Sequence, residues 1–256
     1  MKKFFAVLAG VALVVAPANA ALRMFFSTTG VDAATDLSLA QIQEMRTNLG
    51  NPSVNSGARI FLWAEMIANP AAQKWNGISF DVVVNGGRVT SNSLYNYRVV
   101  DPDFGDVLYE RWQGVNSGTI QPDGSVTNAN LAAVTRGEGV NNGANSDDFD
   151  RHSEIGVLGT VAGSRTLPKA TLLGFYDVAL NPGSNSAQIF IRIGNGGIVR
   201  SGATGAEPIY LGVGDEGAGL TGSSFGQSSP TADATIVPEP ASLALLGLAA
   251  LALRRR

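Results

Sequence analysis

Ile78-Ser79-Phe80-Asp81-Val82-Val83-Val84, closed by Asn85-Gly86-Gly87 and resumed at Arg88-Val89-Thr90, is the stretch that decides the fold. Ile78, Phe80, Val82 and Val84 recur at every second position, so in an extended chain they share one face. The β-branched residues among them suit that conformation. Asn-Gly-Gly is turn chemistry, because glycine takes the positive φ of a tight reversal without steric cost. The pattern predicts a strand, a glycine-bearing turn and a second strand, read together as a hairpin. Trp75 stands just before it and Trp63 in the preceding segment, and both are expected in the core rather than on an exposed ligand platform.

The flanking sequence carries the same signals. Residues 22–28 (LRMFFST), closed by Thr29-Gly30, read as a first strand. Residues 59–68 (RIFLWAEMIA) read as a strand buried on both sides, with a helix as the alternative because Ala, Glu and Met favour one. Residues 36–49 differ: Ser38 and Gln41 have capping-box spacing, Leu39, Ile42, Met45 and Leu49 fall near helical spacing, and Gly50 before Pro52 supplies a stop. They predict one short helix, although an irregular linker could have the same composition. Tyr95 and Tyr97 alternate with Leu94 and Asn96 as in an edge or crossover strand. Gly, Asn, Ser and Asp crowd residues 113–150, with a local helix expected near 128–135, and so long a connection is where a functional loop is expected. Strand patterns return at 154–161, 171–180, 187–193, 197–200 and 208–213, separated by Asn181-Pro182-Gly183 and Gly194-Asn195-Gly196-Gly197. Residues 21–213 are therefore expected to form one all-β domain, a jelly-roll-like β-sandwich, and the Gly/Ser-rich 214–236 a flexible linker.

Both ends of the chain read as addresses. Lys2 and Lys3, an apolar run over 4–15 and Ala18-Asn19-Ala20 make residues 1–20 a signal peptide, with Ala21 as the mature start. At the other end Val237-Pro238-Glu239-Pro240 leads into thirteen uncharged residues, 241–253, and then Arg254-Arg255-Arg256. A helix of that length reaches roughly 20 Å, short of the roughly 30 Å hydrocarbon core. The arginines extend its reach by snorkelling and favour the cytoplasmic side, and the prolines delay the helix start to Pro240 or later. A C-terminal hydrophobic helix held at the inner membrane is the expectation.

This order of Val-Pro-Glu-Pro, short apolar helix and arginine cluster resembles the PEP-CTERM sorting signal of Gram-negative bacteria. The resemblance implies a membrane-embedded exosortase that processes the tail. Val237, Pro238, Glu239, Pro240, Arg254, Arg255 and Arg256 would then be the recognised residues of a substrate, not catalytic groups. It also implies a transient membrane tether, a final place at the cell surface or outside the cell, and a role in exopolysaccharide or biofilm. The strand order, Trp63, Trp75-Asn76-Gly77-Ile78 and Asn85-Gly86-Gly87 are similar to cohesin-type and related carbohydrate-binding sandwiches of exported bacterial proteins, which favours a jelly roll over a propeller.

Composition excludes several chemistries. Without Lys2, Lys3, the three terminal arginines and Glu239, the chain's 18 basic and 21 acidic residues fall to 13 and 20, a formal charge of −7. Scattered cations on so acidic a domain exclude nucleic acid as a partner. There is no cysteine, hence no disulfide and no thiolate nucleophile or ligand. His152 is the single histidine, beside Ser153, and no nucleophile elbow, phosphate loop or metalloprotease helix occurs. No catalytic residue is assigned. Two acidic clusters stand out: Asp101, Asp103 and Asp106, and Asn145, Asp147, Asp148 and Asp150. Solvated loops account for both, and calcium bound by Asp147, Asp148 and Asp150 is the sharper alternative, the one cofactor considered. The expected role is an exported surface or extracellular-matrix protein, a binding or structural module rather than an enzyme. A carbohydrate-binding module would need an exposed aromatic row, for which Trp112, Tyr109 and Phe104 are the candidates. A glycan hydrolase would need two carboxylates about 5–9 Å apart in a cleft.

Overall fold

The computed structural model describes residues 22–32, 36–38, 40–42, 51–66, 74–97, 99–100, 107–109, 112, 114–132, 155–156, 160–161, 165–166, 170–201, 208–211, 220–221, 228 and 231–239. In chain order they form β1 (Leu22–Ser27), β2 (Leu37–Ser38), β3 (Ser53–Asn55), β4 (Arg59–Met66), β5 (Lys74–Asn85), β6 (Gly87–Leu94) and β7 (Val99–Val100). There follow β8 (Val107–Tyr109), β9 (Gly114–Asn116), β10 (Thr119–Ile120), β11 (Val126–Ala132), β12 (Ile155–Gly156), β13 (Thr160–Val161) and β14 (Arg165–Thr166). The last are β15 (Ala170–Leu180), β16 (Ala187–Ser201), β17 (Pro208–Leu211), β18 (Leu220–Thr221) and β19 (Ala234–Val237).

The protein is all-β. One six-stranded sheet has the order β18-β17-β1-β4-β15-β6, and an eight-stranded sheet follows β10-β11-β5-β16-β19-β3, with β12 beside β5 and β9 beside β11. Among the described residues there are also two small sheets, β2-β7-β8 and β13-β14. Strand alternation builds the core between the large sheets. Met24, Phe26, Ile60, Leu62, Tyr176 and Val178 come from one sheet, and Phe80, Val82, Val84, Ile189, Ile191 and Ile236 from the other, all buried in a single cluster. Phe26 and Tyr176 meet edge-to-face at 5.8 Å.

The smaller sheet is covered on its second face as well, which is why all six residues of β1 are buried. Phe25, Phe61, Trp63 and Leu172 point that way by alternation, and Leu37, Ile42, Tyr97 and Trp112 are buried in the same cluster. The indole of Trp63 donates to the Thr29 carbonyl at 3.0 Å. The Tyr97 hydroxyl accepts the Leu172 N–H at 3.0 Å. Trp63 is thus a core residue, as expected from the sequence.

The structure corrects the hairpin. β5 lies in the larger sheet, where Asn85 pairs with Gln188, and β6 lies in the smaller, where Gly87 pairs with Leu180. The Asn85-Gly86-Gly87 turn is an arch that carries the chain from one sheet to the other. β15 and β16 are joined by a second such arch, and the two lie side by side, with the Asn181 N–H donating to the Gly86 carbonyl at 3.2 Å. Glycine is required there: Gly86 has φ +86°, and a Cβ would stand 2.8 Å from the Ser186 carbonyl oxygen. Hairpin and arch share the same alternation, because both turn one apolar face inward.

Other expectations divide. Residues 59–66 are strand β4, not helix. The capping box forms, with Ser38 N–H donating to Gln41 Oε1 at 2.8 Å and Gln41 N–H to Ser38 Oγ at 3.2 Å, and 40–42 are helical; residues 43–49 lie outside the described set. Where a local helix was expected near 128–135, residues 126–132 are strand β11, whose alternation is broken by a bulge with Asn128 at φ 61°. The linker expected over 214–236 is corrected at its end. β19 is paired on both edges, and Asp233, Ala234 and Ile236 are fully buried, because Ala234 and Ile236 alternate inward where the Gly/Ser content stops. The signal peptide at 1–20 and the apolar segment 241–253 lie outside the described residues; among those described, no helix is long and apolar enough to cross a membrane.

Candidate functional site

An open groove lies on the covered face of the smaller sheet, beyond the edge of its cover. Register places Arg59 of β4 opposite Asp177 of β15. The guanidinium grips that carboxylate at two points, Nε to Oδ1 at 2.7 Å and Nη2 to Oδ2 at 2.9 Å, and Nη1 reaches Asp32 Oδ1 at 2.7 Å. It lies over the Phe175 ring, 3.6 Å from the centroid. The Tyr95 hydroxyl donates to Asp32 Oδ1 at 3.2 Å, and its ring is tilted against Phe175 at 6.0 Å. With Ser93, Leu94 and Asn96 these residues line a groove of about 440 Å³. Arg59 is held above the usual guanidinium range by its hydrogen bonds to Asp177, reinforced by the charges of Asp177 and Asp32, so it is a permanent cation. The mixed set of carboxylate, guanidinium, amide and hydroxyl suits a polyhydroxylated ligand. Phe175, with one face taken by Arg59, offers an edge rather than a stacking platform.

The second functional element is the end of β19. The strand runs antiparallel to β16 and parallel to β3, with Ile236 opposite Ala187 on one side and Val54 on the other. Asp233 sets its entry: its N–H donates to the Ile189 carbonyl at 2.8 Å, and its Oδ2 accepts the Ile191 N–H at 2.6 Å. Thr235 N–H donates to the Pro52 carbonyl and the Val237 carbonyl accepts the Ser56 N–H, both at 2.9 Å. Pro238 is then half-buried and Glu239 exposed, its carboxylate beside the Gly57 turn.

Of the residues singled out in the sequence, Val237, Pro238 and Glu239 are therefore brought together at one end of the larger sheet. Pro240, Arg254, Arg255 and Arg256 lie outside the described residues, as do Asp147, Asp148 and Asp150, the other acidic cluster and His152. No group of three or more His, Cys, Asp or Glu side chains that could hold a metal occurs among the described residues. Trp112 is 3% exposed, which removes it from any exposed aromatic row: it belongs to the buried core cluster. Tyr109 lies on β8, and Phe104 is outside the described set. The groove residues were not anticipated. Arg59 and Asp177 are 118 positions apart, and nothing local in either segment marks them as partners.

Fold and tail together define an all-β protein whose last described strand runs directly into a C-terminal sorting segment. Residues 237–256 match the family model of the PEP-CTERM protein-sorting motif. The chain carries a PEP-CTERM sorting signal, which implies export and processing by an exosortase, a membrane enzyme. No curated protein and no solved structure matches the chain, so the similarity to cohesin-type sandwiches finds no support there.

Proposed function

We propose that this is an exported cell-surface or extracellular-matrix protein of a Gram-negative bacterium, a jelly-roll-like β-sandwich that works as a binding or structural module and not as an enzyme. The observation that carries the reading is the direct continuity of a buried core strand with the sorting motif: the cargo delivered by the tail is a folded β domain. The test is fractionation of the native host, comparing the wild type with a variant carrying Pro238→Ala, Glu239→Ala and Pro240→Ala. The wild type is expected at the surface or in the medium without its arginine tail, and the variant in the membrane fraction with Arg256 retained. Identical distributions would sink the proposal.

The groove favours one sharper version, a glycan-binding module contacting exopolysaccharide through Arg59, Asp32, Asn96 and the edges of Tyr95 and Phe175. Asn96→Ala should then weaken retention on immobilised host exopolysaccharide several-fold while leaving the melting temperature unchanged; equal retention counts against it. Hydrolysis is not favoured, since Asp32 and Asp177 are both engaged by one guanidinium instead of facing each other across a cleft. Calcium at Asp147, Asp148 and Asp150 remains part of the proposal, tested by whether calcium raises the melting temperature of the wild type and not of the triple Asp→Ala variant.

A further inference from the structure

The groove on the smaller sheet carries negative charge that its own contacts leave unmatched. Nε, Nη1 and Nη2 of Arg59 all point at carboxylates, and both oxygens of Asp177 accept from that guanidinium. Asp32 is used on one side only. Its Oδ1 accepts from Arg59 Nη1 and from the Tyr95 hydroxyl, while Oδ2 has no hydrogen-bond partner among the described residues. The Asp32 side chain is 69% exposed, so the unpartnered oxygen is open to a ligand. One guanidinium between two carboxylates leaves a negative charge over, and among the described residues no second cation lines the groove. Asn96 lines the same groove, exposed and with no hydrogen-bond partner among the described residues.

The sign of that surplus separates three kinds of glycan. An acidic sugar meets it with a like charge, and the only cation within reach is already held between Asp32 and Asp177. A neutral sugar gains hydrogen bonds that merely replace those to water, so its net gain is small. A protonated amine makes a charge-assisted bond to the open carboxylate oxygen and matches the surplus charge as well. We propose that the groove selects amino sugars: it takes a glycan bearing a protonated primary amine, seated on Oδ2 of Asp32 with a neighbouring hydroxyl on Asn96, ahead of N-acetylated and acidic glycans. The inference rests on the glycan-binding reading and adds to it the charge of the ligand. Arg59, lying over the Phe175 ring, fixes Asp32 in place for this contact.

The test is binding of the full-length chain, in nonionic detergent, to three oligosaccharides of equal length at a pH that keeps the amine protonated. They are a glucosamine oligomer, its N-acetylated counterpart and an oligouronate. The glucosamine oligomer is expected to bind about fivefold more tightly than the N-acetylated one, the scale of one exposed ion pair, and the oligouronate least tightly. In Asp32→Asn, which keeps the side-chain shape and removes the charge, the amine's advantage should fall to about twofold or less. An N-acetylated or acidic oligomer that binds as tightly as the amine would overturn the choice of ligand while leaving glycan binding intact. An undiminished preference in Asp32→Asn would assign the attraction to the general acidity of the domain and overturn the site. Binding of none of the three would sink the glycan-binding reading and the inference with it.

Discussion

Two arginine–carboxylate sites share one face of β4, six residues apart, and they differ in nearly everything except chemistry. At one end Arg23 of β1 meets its register partner Glu65, with Nε donating to Oε1 at 2.7 Å and Nη2 also in contact. Their side chains are 11% and 0% exposed. At the other end Arg59 holds Asp177 and Asp32 in the open groove, with side-chain exposures of 35%, 26% and 69%. The first site is closed to solvent and the second is open. What separates a structural pair from a solvent-accessible one is therefore burial. Desolvation makes the closed pair costly to break, while solvent and salt screen the open one.

Breaking the closed pair should have the largest effect. Glu65→Ala leaves the buried Arg23 charge without its carboxylate and should cost about 3–5 kcal/mol in chemical denaturation, whereas Arg23→Met combined with Glu65→Leu should recover most of that loss. A single-variant cost below about 1 kcal/mol would mean that water reaches this end too. The next effect is alkaline. Tyr97 under the cover and Tyr176 in the core have their phenol pKa values pushed above the ordinary value of 10.0, chiefly by burial. The unfolded chain releases those protons from about pH 10 and the folded chain does not, so stability is intact below that range and falls as pH rises through it. Each tyrosine should contribute about 1.4 kcal/mol of loss per pH unit, read as phenolate absorbance that appears only on unfolding. Phenolate growth from Tyr97 ahead of unfolding would show the cover to be open.

Smaller effects belong to the groove. Asp177→Ala should cost about 1 kcal/mol or less, and the cost should shrink in about 1 M salt, while that of Glu65→Ala should persist. Equal salt sensitivity at the two sites would erase the contrast. Asp32→Ala, at the most exposed carboxylate of the two sites, should change stability least, by about 0.5 kcal/mol or less in chemical denaturation, and on the proposed glycan-binding reading it shows itself instead in retention on exopolysaccharide.

Much of this was legible without coordinates. Alternation at Ile78, Phe80, Val82 and Val84 identified a strand with one buried face, and Ser38 with Gln41 identified a helix start, because both signals are local. Val237-Pro238-Glu239-Pro240, followed by an apolar run and three arginines, identified the sorting signal for the same reason: a processing enzyme reads it as linear sequence. Partnership was not legible. The turn at Gly86 could close a hairpin or an arch, and only the strand order shows that it passes between sheets. The Gly/Ser content of 214–232 hid the four residues of β19, which gain their order from β16 and β3 rather than from their own composition.

By itself, then, the sequence determined the β class, the strand faces and the sorting signal at the end of the chain, since period, turn residues and a linear motif are properties of neighbours along the chain. Tertiary structure alone decided that Arg59, Asp177, Asp32 and Tyr95 converge, that Trp112 is buried and that the motif begins on a core strand. Those outcomes depend on contacts made across 118 positions between Arg59 and Asp177 and 182 (237 − 55) between Val237 and Asn55, where what counts is which surfaces are covered, and no local pattern encodes that.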